Sequence, residues 1–226
     1  MSENSTSQRH LQIDAQAGVL HVRSNITISA PWTVIFGPSG SGKSTILRAV
    51  CGLLPKAELE PGPPPHLRAI AYAPQGAVLF PHLSVRQNVS FATDSTHRPS
   101  PQLINEILDL FELRALAGRM PRDLSGGERQ RVNLARAFAV AQPTMLLLDE
   151  PFTGLDRTLR DQLLPRMQQR ALELGVPVLS VTHDVEEAIM LHAEVIRLNQ
   201  GAVVDQGPAA RVLAEERAAM LNVLRN

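Results

Sequence analysis

The stretch "GPSGSGKST", Gly37 to Thr45, fits the spacing G-x-x-x-x-G-K-[ST]. Its glycines let the backbone wrap closely around an anion and turn N–H groups inward. Lys43 adds a positive charge at the β- and γ-phosphates of a nucleotide, and the Ser44 hydroxyl can ligate Mg²⁺. Pro38, Ser39, Gly40, Ser41, Gly42 and Thr45 complete the cradle. Alone, this loop implies ATP or GTP without choosing between them. A second chemical group ends the apolar run "MLLLDE". Asp149 stands where phosphoryl transfer needs a carboxylate for Mg²⁺, through a bound water. Glu150 comes one residue later, where it can orient or deprotonate a water attacking the γ-phosphate. His183 ends a third run, "VLSVTH". Ligands of open α/β sheets bind at the carboxyl ends of the strands, so an imidazole there can donate a hydrogen bond to the same phosphate.

These groups need strands and helices to position them. "TVIF" (33–36) is a buried strand leading into the loop, and a helix from Ser44 to about Cys51 leads out. That order opens an α/β nucleotide-binding unit. Upstream, "LQIDAQAGVLHVRSNITIS" alternates apolar and polar residues about a turn at Ala17-Gly18, which predicts an antiparallel hairpin. The first ten residues read as a disordered tail. "LPKAELEPGPPPH" is too rich in proline and glycine for a helix or a central strand. "LRAIAYA" reads as a strand leading to Gln75. From Pro101 to Ala141 the pattern turns helical, with Ser100 and Pro101 as N-cap and first helical residue. "MLLLDE" and "VPVLSVTH" read as parallel strands buried on both faces. Between them a helix runs from about Thr158 to Leu174, bent at Pro165. "EVIRLNQGAVVDQG" reads as two strands about a turn at Gln200-Gly201, and a helix follows from Pro208.

Composition narrows the class. The 226 residues carry 22 basic and 22 acidic side chains, so no basic excess points to nucleic acid. Arg129, Arg131 and Arg136 read as a solvated helix face. The single cysteine, Cys51, rules out an internal disulfide framework and reads as a small core residue. No apolar run approaches the ~20 residues of a membrane span. Any membrane role must therefore come through a partner.

One stretch is left over. "LSGGERQR", Leu124 to Arg131, is a second small, glycine-rich turn feeding a helix. Together "GPSGSGKST", Gln75, "LSGGERQR", "LLLDEP", "TGLD" and "VTHD" resemble, in order and spacing, the ATP-binding-cassette (ABC) transporter ATPases. The resemblance runs from about Leu11 to Leu213. It implies the ABC ATPase version of the P-loop α/β fold: a mixed central sheet, an N-terminal antiparallel β part and a helical subdomain. The expected division is a core over 11–76 and 143–207, a helical subdomain over 77–142 and a C-terminal helix over 208–226, with no C-terminal regulatory domain. The resemblance further implies ATP and Mg²⁺ as cofactors and a head-to-tail dimer, the simplest being a homodimer. Ser125, Gly126 and Gly127 would then meet the γ-phosphate of the nucleotide held by the partner. Gln75 resembles the glutamine that reaches Mg²⁺ and the attacking water, and Asp156 the aspartate that crosses the dimer interface. Lys43, Glu150 and His183 resemble the phosphate-binding lysine, catalytic base and switch histidine. Metal contacts are expected from Ser44, Gln75 and Asp149.

"LFPHLSV", just after Gln75, resembles the region of bacterial importers that receives the membrane permease, with Leu79, Phe80 and Pro81 as an apolar face. "LLP" before a helix leading to "VPVLSVTH" is most similar to molybdate importer subunits. The implied protein is the ATPase subunit of an importer of molybdate or another small solute. It would sit on the cytoplasmic face of the inner membrane through its permease, served indirectly by a substrate-binding protein and without nucleic acid. An exporter or extraction subunit, or a soluble ATPase of the same superfamily, is the alternative. The chain departs from the family in having no aromatic residue between Leu11 and Ile28 to stack on adenine. His10 or His21 would have to substitute. A reduced β part is expected at "EPGPPP".

Overall fold

In the computed structural model, the described residues are 9–28, 31–55, 57–60, 64, 68–91 and 98–223. They form two compact units, Met1–Arg68 with Pro177–Asn226, and Ala69–Val176. The strands around 70–73 and 145–149 thus belong with the helices of the second unit.

The first unit opens with β1 (Arg9–Ala17) and β2 (Leu20–Ile28), an antiparallel hairpin around Gly18-Val19. Leu11, Ile13 and Ala15 of β1 and Val22, Ile26 and Ile28 of β2 are buried, so the sequence alternation sets the register. Arg9 and His10 lie in β1, opposite Ile28 and Thr27. The expected tail is therefore shorter by these two residues, and its remainder lies outside the described residues. A three-residue strand, β4 (Glu58–Glu60), pairs with the other edge of β1. Of "EPGPPP", only Glu60 and Pro64 are among the described residues.

A second sheet in this unit contains β3 (Trp32–Phe36), β7 (Val178–Thr182), β8 (Glu194–Asn199) and β9 (Ala202–Pro208). β3 lies between β7 and β8, parallel to both, while β9 runs antiparallel to β8. The sheet is thus mixed. β7 is buried along its whole length and β3 at all but its last residue, which is why neither alternates. Trp32 is core, and its indole N–H donates to Ser180 Oγ at 2.9 Å. Helices α1 (Lys43–Val50), α6 (Val185–Met190), α7 (Ala209–Val212) and α8 (Ala214–Val223) complete the unit. Cys51 is not the core residue expected. It is the C-cap of α1 and only half-buried, because the helix ends before its apolar face reaches it.

The second unit pairs β5 (Ile70–Ala73) with β6 (Met145–Asp149) in parallel, Ile70 opposite Met145. Its helices are α2 (Val85–Val89), α3 (Pro101–Leu110), α4 (Gly126–Phe138) and α5 (Arg157–Leu174). Each starts on an N-cap side chain that accepts a backbone N–H: Ser84, Ser100, Ser125 and Asp156. Such a cap contributes about 1 kcal/mol. α5 continues through Pro165. The core gathers Phe111 and Phe138, edge to face at 5.6 Å, with Ile107, Leu108, Leu113 and Leu134. Two of the three arginines read as a solvated face do otherwise. Arg131 donates to the Phe111 and Glu112 carbonyls, and Arg136 donates to the Val78 carbonyl and lies over the Phe80 ring. Long side chains bury their stems and spend their N–H groups on loop carbonyls.

The β8–β9 turn has two central residues, Gln200 (φ 46) and Gly201 (φ 81), both left-handed as a type I′ hairpin requires. Glutamine pays a steric penalty there that asparagine largely avoids. Gln200→Asn should therefore stabilise the protein by about 0.5–1 kcal/mol, read as a raised melting temperature.

Candidate functional site

In the first unit the phosphate-type loop leaves β3 and is held in a narrow track. A Cβ on Gly37 would lie 2.2 Å from the Leu198 carbonyl oxygen, so only glycine passes. Gly42 has φ +101, and a Cβ there would meet Val22 Cγ2 at 2.8 Å. The loop closes on itself through the Ser41 N–H, which donates to the Pro38 carbonyl at 3.2 Å. Lys43 is 8% exposed and folds back over the loop, its Nζ donating to the Gly37 and Pro38 carbonyls at 2.8 Å each. No acidic residue stands in the first turn of α1 and no side chain caps it. Helix-end N–H groups and an ammonium thus converge with no carboxylate from that turn, as an anion requires. His183 is exposed one residue past β7, and Thr182 pairs with Phe36 of β3. The loop and His183 therefore leave adjacent parallel strands at the same end. Thr182 and Asp184 shape the chain around His183: Thr182 Oγ1 accepts the Asp184 N–H, and Asp184 caps α6 through the Glu186 N–H.

In the second unit β6 delivers Asp149, 3% exposed, within 3.5 Å of the Tyr72 hydroxyl on the paired strand β5. Glu150 follows with φ 48, a left-handed conformation that costs a glutamate about 1–3 kcal/mol. The surroundings hold it there. Gln75 Nε2 and Thr153 Oγ1 each donate to Glu150 Oε2 at 3.1 Å. Gln130 Nε2 donates to the Glu150 carbonyl at 3.3 Å and the Pro151 carbonyl at 2.8 Å. A carboxylate fixed this way at a strand end can orient a water or accept its proton.

Gln130 and Asn133 are site-shaping residues that the sequence reading passed over. Both lie within the buried face of α4, at 4% and 0% exposure. Asn133 Nδ2 donates to the Pro74 carbonyl at 2.8 Å, next to Gln75. One helix thus holds both the Gln75 segment and the Glu150 turn. The available signal was two amides, three apart, on an otherwise apolar helix face.

α4 begins within the "LSGGERQR" stretch, the family's signature turn. Ser125 and Glu128 form a reciprocal capping box: Ser125 Oγ accepts the Glu128 N–H at 3.2 Å, and Glu128 Oε2 accepts the Ser125 N–H at 2.7 Å. That backbone bond holds the Glu128 carboxyl below its ordinary pKa. Space around a Gly126 Cβ is open, whereas a Gly127 Cβ would come within 3.1 Å of the Gly154 carbonyl oxygen. The signature turn therefore lies against the "TGLD" turn. Asp156, exposed, caps α5 by accepting the Leu159 N–H at 2.9 Å.

Lys43, Ser44 and His183 lie in the first unit. Gln75, Asp149, Glu150, Ser125, Gly126, Gly127 and Asp156 lie in the second. The donors expected for Mg²⁺ are the Ser44 hydroxyl, the Asp149 carboxylate and the Gln75 amide oxygen. All are hard oxygens, the kind that ion selects.

Comparison with known proteins agrees with this architecture. A family model described as "ABC transporter" matches residues 25–153. The chain is 39% identical over 197 residues to the molybdenum import ATP-binding protein ModC of Rhodopseudomonas palustris (strain BisB18), covering 81% of this chain and 51% of that protein. It is 38% identical over 211 residues to the Fe(3+) ions import ATP-binding protein FbpC of Pseudomonas fluorescens, covering 86% and 59%. The chain thus spans little more than half the length of these curated relatives. A dimeric structure of a post-hydrolysis state of the ATP-binding cassette MJ0796, bound to ADP and Pi, is similar with a TM-score of 0.73 at 26% identity, over 89% of this chain and 98% of that one. A family match over more than half of the sequence, on the fold of an ATP-binding cassette, establishes that the chain belongs to the ABC transporter family.

Proposed function

We propose that this chain is the ATP-hydrolysing subunit of a bacterial importer for molybdate or another small solute. The observation that carries the hydrolytic part is the Glu150 turn: a strained glutamate at a strand end, its carboxylate held by Gln75 and Thr153. The loop amides of 37–45 and Lys43 hold the phosphates. Ser44, Asp149 and Gln75 would hold Mg²⁺, and the ion would supply charge neutralisation at the phosphates. Glu150 positions the attacking water, and His183 donates a hydrogen bond to the γ-phosphate. Catalysis is then mainly positioning and electrostatic stabilisation.

The second copy supplies the rest. Ser125, Gly126 and Gly127 of one chain cover the nucleotide of the other, and Asp156 faces the partner. The MJ0796 cassette structure is dimeric, which supports a two-fold arrangement here. Among the described residues no helix is long and apolar enough to cross a membrane. On this reading the permease is a separate chain, and this one sits at the cytoplasmic face of the inner membrane against it. A docking face lies just past Gln75. Val78 is 64% exposed and Phe91 41%, with the Phe80 ring 4.2 Å from that of Phe91. Leu79 and Pro81 extend this face. The cargo class follows the names of the molybdenum and iron import relatives. A periplasmic or surface binding protein would deliver the solute to the permease.

Glu150→Gln should keep ATP affinity, slow hydrolysis by about 10²–10⁴-fold and accumulate an ATP-bound dimer on size-exclusion chromatography. Wild-type turnover would remove Glu150 as the base. Base selectivity should be weak. His10 is hydrogen-bonded to Thr27 and His21 to Asp14, and no Phe, Tyr or Trp lies on β1 or β2. Stacking is worth about 1–3 kcal/mol per base, so kcat/KM for ATP should exceed that for GTP by less than about tenfold. A larger ratio would reveal another adenine reader. Tagged chain recovered from its native membranes should bring down a polytopic membrane protein, identified by mass spectrometry. Reproducible recovery of soluble partners alone would overturn the importer assignment.

A further inference from the structure

The phosphate loop is braced from outside by a hairpin more than 150 residues away in sequence. The Gly201 N–H, in the β8–β9 turn, donates to the Ser41 carbonyl at 2.9 Å. The Gly201 carbonyl accepts the hydroxyl of Ser24, 4% exposed, at 2.7 Å. The turn has no slack. A Cβ on Gly201 would lie 2.4 Å from the His21 carbonyl oxygen and 3.2 Å from Val22 Cα. The same hairpin meets the loop at two further points, through the Leu198 carbonyl at Gly37 and the Leu198 side chain at Gly42.

A trans peptide places its C=O and N–H on opposite sides of the chain. Drawing the Ser41 carbonyl toward the hairpin therefore turns the Gly42 N–H away from it. We propose that the β8–β9 turn is a positioning device for the phosphate loop: Gly201 orients the Ser41–Gly42 peptide so that the Gly42 N–H faces bound phosphate, and buried Ser24 holds Gly201 in place. Neither residue touches the nucleotide. Both act through Ser41, and a loop already oriented meets phosphate without reorganising. This inference rests on the reading of 37–45 as a nucleotide site.

The test is calorimetric titration of the full chain with Mg-ATP and with Mg-ADP, at a temperature where every variant is folded. Ser24→Ala should weaken both nucleotides about 3–10-fold, the worth of one buried hydrogen bond. Ser24→Thr, which keeps the hydroxyl, should return affinity to within about twofold. Gly201→Ala should weaken binding further, since its Cβ must push the turn off β2. Val204→Ala, on the exposed side of β9 and away from the turn, separates positioning from hairpin stability: it should lower the melting temperature and leave affinity unchanged. Wild-type affinity for both nucleotides in folded Ser24→Ala and Gly201→Ala would overturn the proposal. So would an affinity loss in Val204→Ala equal to that of Ser24→Ala. Failure of the unaltered chain to bind either nucleotide would instead overturn the nucleotide reading, and this proposal with it.

Discussion

A buried carbonyl group must find a donor, and the second unit is organised around that requirement. The chain leaves β5 through Pro74 and leaves β6 through Glu150 and Pro151. Each exit turns backbone carbonyls away from any ladder. Gln130 and Asn133, on the buried face of α4, supply the missing N–H groups. An unpaired buried acceptor would cost about 1–3 kcal/mol. The two amides therefore fix where both exits run. The helix that begins at the signature turn is thereby the helix that sets the position of Gln75 and Glu150. Its own start is secured by the Ser125–Glu128 box, so one rigid element carries three of the family's motifs.

The first unit meets an opposite demand. Its loop has to keep N–H groups available for a ligand, so local carbonyls must be occupied by something else. Lys43 takes two of them, at Gly37 and Pro38, and the β8–β9 turn takes a third, at Ser41. Close approach is the cost. Gly37, Gly42 and Gly201 all pass where a side chain would collide with neighbouring atoms. The two units thus reach a similar end by different chemistry, long amides in one and bare backbone in the other.

Much of this was legible in the sequence because it is local. Strands β3, β6 and β7 are short apolar runs followed by polar or glycine residues, and a strand buried on both faces needs nothing more. The cap at Ser100, the turn at Gln200-Gly201 and the start of α1 follow from residue type and immediate neighbours. What stayed hidden depends on distant partners. Cys51 reads as core because its helix is apolar, but the helix ends first. Arg131 and Arg136 read as solvent-facing because charged side chains clustered on a helix usually face water, while their partners are carbonyls of loops 19–58 residues away. Gln130 and Asn133 look polar and unremarkable until the loops they serve are in place. Ser24 looked like one more residue of a half-buried strand.

The left-handed backbone at Glu150 sets stability against the chemistry proposed for that position. Glycine or asparagine would relax that turn, so the most comfortable residue there is one without the carboxylate proposed as the base. Selection for thermal stability alone would drift toward such replacements, and only selection for turnover would hold the glutamate. A heat-selected library of this chain would therefore be a poor source of active cassettes unless position 150 were excluded from variation.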